Sequence, residues 1–155
     1  MVSPVRFFSI SLRLAGAIAL GMAGVAACGG DDGPKSIEVE LSEWTVKSDP
    51  NSVDAGEYEF AGVNAGVETH EFVLVKGDDP AKLPVDADGA VVEDELADGA
   101  FIGEIEDIAV DATKRVNFEL AAGDYVLFCN VTETEDDGTV ESHFKQGMAT
   151  TLHVK

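Results

Sequence analysis

Apolar residues recur at every second position in several short stretches, and a period of two marks strands with one face turned inward. In IEVEL, Ile37, Val39 and Leu41 fall on one face and Glu38 and Glu40 on the other. GEYEFAGV sets Tyr58 and Phe60 against Glu57 and Glu59. THEFVLVK is less polar: His70, Phe72 and Leu74 share one side and Val73 and Val75 take the other, which predicts a strand covered on much of both faces. KRVNFELAAGDYVLFCNV predicts two strands around a tight Ala-Gly-Asp turn. Val116, Phe118 and Leu120 share a face of the first, and Tyr125, Leu127 and Cys129 alternate with Val126 and Phe128 in the second. MATTLHVK closes the chain as a last short strand. Short strands with turn signals and no sustained helical period predict an all-β sandwich.

One region breaks this rhythm. GDDPAKLPVDADG reads as loop, and AVVEDELADG predicts a short helix whose Val91, Val92 and Leu96 rest on the sandwich, so a helical or irregular insertion is expected around 77–100. Neither an internal repeat nor a second composition zone follows, and the folded domain is expected to span 37–155.

The first 27 residues carry Arg6 and Arg13, no acid, and the small and apolar run LAGAIALGMAGVAA. A basic start followed by a short apolar segment predicts a secretory signal over 1–27, too short for a comfortable membrane span. VAAC resembles a bacterial lipoprotein signal, which implies cleavage before Cys28 and lipidation of that cysteine; a plain signal peptide would leave Cys28 a thiol. CGGDDGPKS, residues 28–36, is Gly-rich and acidic, as a flexible tether would be. The expected location is the extracytoplasmic face of the cell membrane, held by the lipid.

The chain has 10 Lys plus Arg against 30 Asp plus Glu; taking Arg6 and Arg13 away with the signal leaves 8 against 30, a formal charge of −22 instead of −20. Nothing in such a domain neutralises phosphates, which excludes nucleic acid as a partner. A direct hold on anionic lipid is excluded in the same way, so membrane attachment must come from the N-terminal anchor.

A domain of this length buries roughly two thirds of its unfolded surface and needs no disulfide. Cys28 and Cys129 are the only cysteines. Cys129 could pair with Cys28, as exported proteins permit, could simply be buried, or could bind a metal. After residue 27 the chain has one methionine, Met148, and three histidines, His70, His143 and His153. His143 and Met148 are five apart around Gly147, which permits a turn aiming both side chains at one centre. A thiolate, two imidazoles and a weak thioether form the trigonal set with a long axial ligand that suits copper in electron transfer. Zinc held by one cysteine, two histidines and water is also possible, and the methionine disfavours it.

NAGVETHEFVLV, AAGDYVLFCNV and SHFKQGMATTLHV resemble the plastocyanin-like cupredoxins, small exported blue copper proteins, and the resemblance extends from about Ile37 to the C-terminus. It implies a Greek-key β-sandwich and one copper ion with His70, Cys129, His143 and Met148 as ligands. It also implies one-electron exchange with protein redox partners by a monomer that is not an enzyme. Two departures stand out. Thirteen residues, NVTETEDDGTVES, separate Cys129 from His143 where such proteins commonly have only a few, and Glu71 follows His70 where better-known members have an asparagine that braces the cysteine loop. Alternation turns Glu71 away from His70, so a solvated or sheet-edge carboxylate is expected, with an approach to the metal as the minor alternative.

Other residues weigh less. His153 is expected to be a partly exposed strand residue, and Trp44 packs in the core or at its rim or serves as a docking aromatic. The acids at 133, 135, 136, 137 and 141 could steer a cationic partner, although acids are spread over the whole domain. No hydrolase elbow, phosphate loop or His-Glu-x-x-His motif is present. Copper delivery or sequestration through the same ligands remains the alternative to electron transfer, and a metal-free adhesive sandwich is the third reading.

Overall fold

The computed structural model describes residues 35–155; the expected signal at 1–27 and Cys28 lie outside the described residues. β1 (Ser36–Ser42), β2 (Thr45–Asp49), β4 (Gly56–Asn64) and β7 (Thr113–Leu120) form one sheet in the order β2-β1-β4-β7. The short β3 (Ser52–Val53), β11 (Ala149–Val154), β8 (Gly123–Phe128), β5 (His70–Lys76) and β6 (Phe101–Ile108) form the other, in the order β3-β11-β8-β5-β6. β1 runs parallel to β4 and β3 parallel to β11, and the remaining pairs in these two sheets are antiparallel. This is the expected all-β Greek-key sandwich.

The inward faces supply the core. Ile37, Val39 and Leu41 from β1, Phe60 from β4, Phe72 and Leu74 from β5, and Tyr125 and Leu127 from β8 are all buried in one cluster. Phe60 stacks on Phe72 with ring centroids 5.6 Å apart and also meets Phe118 edge-on. Burying such rings stabilises the sandwich by about 25 cal/mol per Å² of apolar surface removed from water.

β5 and β8 are apolar on both faces because their sheet is covered twice. Val73, Val75, Val126 and Phe128 point away from the main core into a second cluster, closed by Leu83, Val91, Leu96 and Phe144. The insertion therefore acts as a third layer. Its helical content is smaller than the pattern predicts: two 3-10 turns, Pro80–Lys82 and Glu93–Glu95. Val91 is buried and Leu96 half-buried against this cluster, as expected, whereas Val92 is half-buried and packs in neither cluster, and three acids in succession in the second turn leave no apolar stripe to extend a helix. The longer acidic segment before His143 folds back on itself as β9 (Thr132–Thr134) against β10 (Val140–Ser142), joined to the single turn of helix α1 (His143–Gln146).

Candidate metal centre

Each candidate ligand is placed by the end of an element at one pole of the sandwich. His70 opens β5, on the same face as Phe72 and Leu74. Cys129 follows the last residue of β8 and continues the inward series Tyr125, Leu127. β5 and β8 are paired, Val73 opposite Phe128, so their ends meet. His143 begins α1 and Met148 follows that turn immediately before β11, itself paired with β8.

Local hydrogen bonds fix the last two. Ser142 caps α1, its hydroxyl accepting from Lys145 N at 3.2 Å and donating to the carbonyl of Gly89 at 2.8 Å. Gly147 ends the turn at φ +112°, a conformation glycine adopts without strain. Met148 N then donates to the carbonyl of His143 at 3.1 Å, and the carbonyl of Met148 accepts from Cys129 N at 3.1 Å. The methionine is thus held beside the cysteine, and both belong to the main core.

His70, Cys129, His143 and Met148 are all fully buried. His70 Nδ1 lies 3.2 Å from His143 Nδ1, and Cys129 Sγ lies 3.4 Å from His143 Nδ1 and 3.9 Å from His70 Nδ1. A transition metal about 2.0–2.3 Å from nitrogen and sulfur donors sets them about 3.3–3.8 Å apart at tetrahedral to trigonal angles. The 3.4 Å pair falls inside that range, and the 3.2 Å and 3.9 Å pairs lie about 0.1 Å outside it, so small shifts bring all three donors onto one shared ion. The neighbouring Met148 carries a soft thioether, a donor type that copper accepts and zinc seldom takes.

Without a metal, burial pushes the Cys129 thiol up to about 11, against the help of the Glu71 and Val131 N–H groups. Burial also lowers the pKa of His70, and the neighbouring His143 lowers it further. Both effects keep the imidazole neutral, the state a metal requires.

No family model matches the chain, and no curated protein matches it. Solved structures do match. Reduced auracyanin from Roseiflexus castenholzii gives a TM-score of 0.55 over 79% of this chain and 99% of that one, at 18% identity. Auracyanin A, a blue copper protein from the green thermophilic Chloroflexus aurantiacus, gives 0.52 over 79% and 100%, at 23% identity. An azurin from Methylomonas sp. strain J gives 0.52 over 78% and 98%, at 19% identity. The fold is that of the cupredoxins. Within this cupredoxin frame, the buried His/Cys/His cluster with a methionine beside it matches the donor set of a blue-copper electron-transfer site.

The long segment between Cys129 and His143 leaves the buried cluster closed. β9 and β10 zip its two arms together with Thr132 opposite Ser142, and His143 N donates to the carbonyl of Val131 at 3.0 Å. The extra residues project as an exposed hairpin tip, and Cys129 and His143 at its base stay adjacent.

Glu71 does more than the solvated or sheet-edge carboxylate expected of it. Its side chain accepts from Asn130 N at 3.1 Å and its own N–H points at Cys129 Sγ from 3.5 Å, so it joins the histidine strand to the cysteine loop. Burial raises its pKa to about 7, partly opposed by the Asn130 N–H. Asn130 in turn holds the insertion, accepting from Val91 N at 2.7 Å and donating to its carbonyl at 3.0 Å.

Trp44 is half-buried against the core and meets His143 edge-on, ring centroids 5.4 Å apart. His153 is exposed, 2.7 Å from Asp124 and far along β11 from the cluster. Cys129 forms no disulfide among the described residues. Two acids reach the cluster that nothing in the sequence singled out: Glu43, 3.3 Å from His70 Nε2, and Glu68, 3.4 Å from His143 Nε2.

Proposed function

We propose that the protein binds one copper ion, which Cys129, His70, His143 and Met148 would hold, and carries single electrons as a monomer between protein partners. The carrying observation is the convergence of the Cys129 sulfur and two Nδ1 atoms within 3.9 Å of one another inside a fully buried pocket. Copper bound there supplies a one-electron couple between Cu(I) and Cu(II). Cys129 provides the strongest donor, and the Glu71 N–H directed at its sulfur tempers that donation. The paired ends of β5 and β8 and the base of the β9–β10 hairpin hold the donors in place, so little need move when the charge changes. Burial keeps water out of the pocket.

The N-terminal pattern supports export and anchoring through a lipidated Cys28, with 28–36 as tether and the domain on the extracytoplasmic face. The acidic hairpin tip favours a cationic partner. Copper delivery through the same ligands is separated from electron transfer by redox cycling. Voltammetry of the loaded protein beside a Cu(I) chelator should show repeated one-electron cycles with the copper retained. Loss of copper to the chelator on first reduction would overturn the carrier reading.

A further inference from the structure

An imidazole that offers Nδ1 to a metal carries its proton on Nε2. For His70 and His143 that outer nitrogen is as buried as the inner one, and among the described residues neither Nε2 has a hydrogen-bond partner aligned with it. A buried N–H left unpaired costs about 1–3 kcal/mol. One carboxylate faces each of them. Glu43 Oε1 stands 3.3 Å from His70 Nε2 and Glu68 Oε2 stands 3.4 Å from His143 Nε2, near enough for electrostatic contact and a small rotation short of a linear bond. Glu68 Oε2 is itself buried and has no hydrogen-bond partner among the described residues.

Building on the copper reading above, we propose that Glu43 and Glu68 are positioning residues that take the outer N–H of the two ligand imidazoles. They fix the tautomer that aims both Nδ1 atoms inward and bias the site toward Cu(II).

The arrangement is built, since the two acids arrive from different segments and are tied to each other. Glu43 lies in the β1–β2 turn, and its Oε1 accepts from the N–H groups of Val67 at 2.8 Å and Glu68 at 3.1 Å. Glu68 lies in the β4–β5 connection, where its carbonyl accepts from the buried Asn64 at 2.7 Å. Gly66 leaves the gap through which Glu43 reaches the histidine. A Cβ at that position would press on the Glu43 carboxylate and lie 2.8 Å from His70 Nε2. A side chain of any other residue therefore closes the approach. A carboxylate on the outer nitrogen makes an imidazole a stronger donor, which favours the more highly charged copper and lowers the potential.

The test is the reduction potential of the copper-loaded protein, together with two-bond ¹H–¹⁵N correlation of its histidines in the diamagnetic Cu(I) form. The variants are Glu43→Gln, Glu68→Gln and Gly66→Ala, with Glu133→Gln as control. Glu133 is an exposed acid that acts on His70 only through charge, whereas Glu141 is unsuitable because it groups with Glu68 and His143 within 4.8 Å.

In wild type both histidines should carry the proton on Nε2. Glu43→Gln and Glu68→Gln should each weaken the preference for Cu(II) over Cu(I) by about tenfold, an upward shift of about 59 mV. The Nε2–H resonance of the facing histidine alone should move in each. Gly66→Ala keeps every charge and should still shift the potential as Glu43→Gln does, moving the His70 resonance and leaving that of His143.

The proposal is overturned if both Gln variants fold, bind copper and differ from wild type no more than Glu133→Gln does. If wild-type protein shows no thiolate-to-copper absorption, the copper reading itself has failed. If that band is present and only the variants are silent, the failure belongs to this proposal alone.

Discussion

Removing one hydroxyl should loosen the turn that presents His143. In Ser142→Ala the α1 N-terminus loses its cap, and the buried carbonyl of Gly89 loses its donor at 2.8 Å, the hydroxyl of a serine only 2% exposed. An N-cap contributes about 1 kcal/mol, and a buried carbonyl left without a partner costs about 1–3 kcal/mol, so the loss should be about 2–4 kcal/mol. That is a large part of the roughly 5–15 kcal/mol that separates a folded domain from its unfolded chain. Urea unfolding of the metal-free, reduced protein reads it as a fall in midpoint at constant slope, free of the stabilisation that bound copper would add. Because His143 follows Ser142 directly, the copper-loaded variant should also show a broadened Cu(II) resonance. A loss below about 0.5 kcal/mol, within the range of a neutral surface change, would refute this account of the turn.

Three further outcomes follow from the same contacts. Glu71 has a folded pKa of about 7 against an ordinary 4.5, so the metal-free protein should lose stability as pH rises from 4.5 through 7. By linkage this is at most about 3 kcal/mol; Glu71→Gln should abolish the fall while keeping an acceptor for Asn130, as denaturation at pH 4.5 and pH 8 would read. The Cys129 thiol, pushed from 9.0 to about 11, should leave metal-free stability unaffected up to pH 9 and lower it as pH climbs through 11, a fall that Cys129→Ala lacks in the same titration. Gly147→Ala should cost about 1–2 kcal/mol of thermal stability through its φ of +112° alone, since the nearest atom to a new Cβ is the carbonyl oxygen of Trp44 at 3.8 Å.

The sandwich and the positions of the candidate ligands were legible because each lies on a run with a strong period. His70 and Cys129 continue the alternation Phe72, Leu74 and Tyr125, Leu127 toward one face, and the two-sided apolar character of β5 and β8 announced a covering layer. His143 and Met148 were joined by Gly147, whose conformational freedom signals a return. β6 was not legible. Its Phe101 is exposed, and its sequence FIGEIEDI holds glycine and acids where inward apolar residues would mark a strand. The β9–β10 hairpin has almost no apolar residue, so no period could reveal it. Glu43 and Glu68 were hidden by number: among 30 acids, only the fold distinguishes those aimed at buried nitrogens from those facing water, and Glu71, singled out by its place after His70, was turned outward by alternation while the Asn130 N–H that holds it could not be seen.

The central claim is that one sulfur and two nitrogens converge on a single copper ion, and X-ray absorption at the copper edge of the loaded protein tests it most directly. One equivalent of copper with a single short sulfur contact and two nitrogen contacts, the sulfur lost in Cys129→Ala, is the predicted result. Copper coordinated by nitrogen and oxygen alone, or the same spectrum with and without the Cys129 thiol, would contradict it.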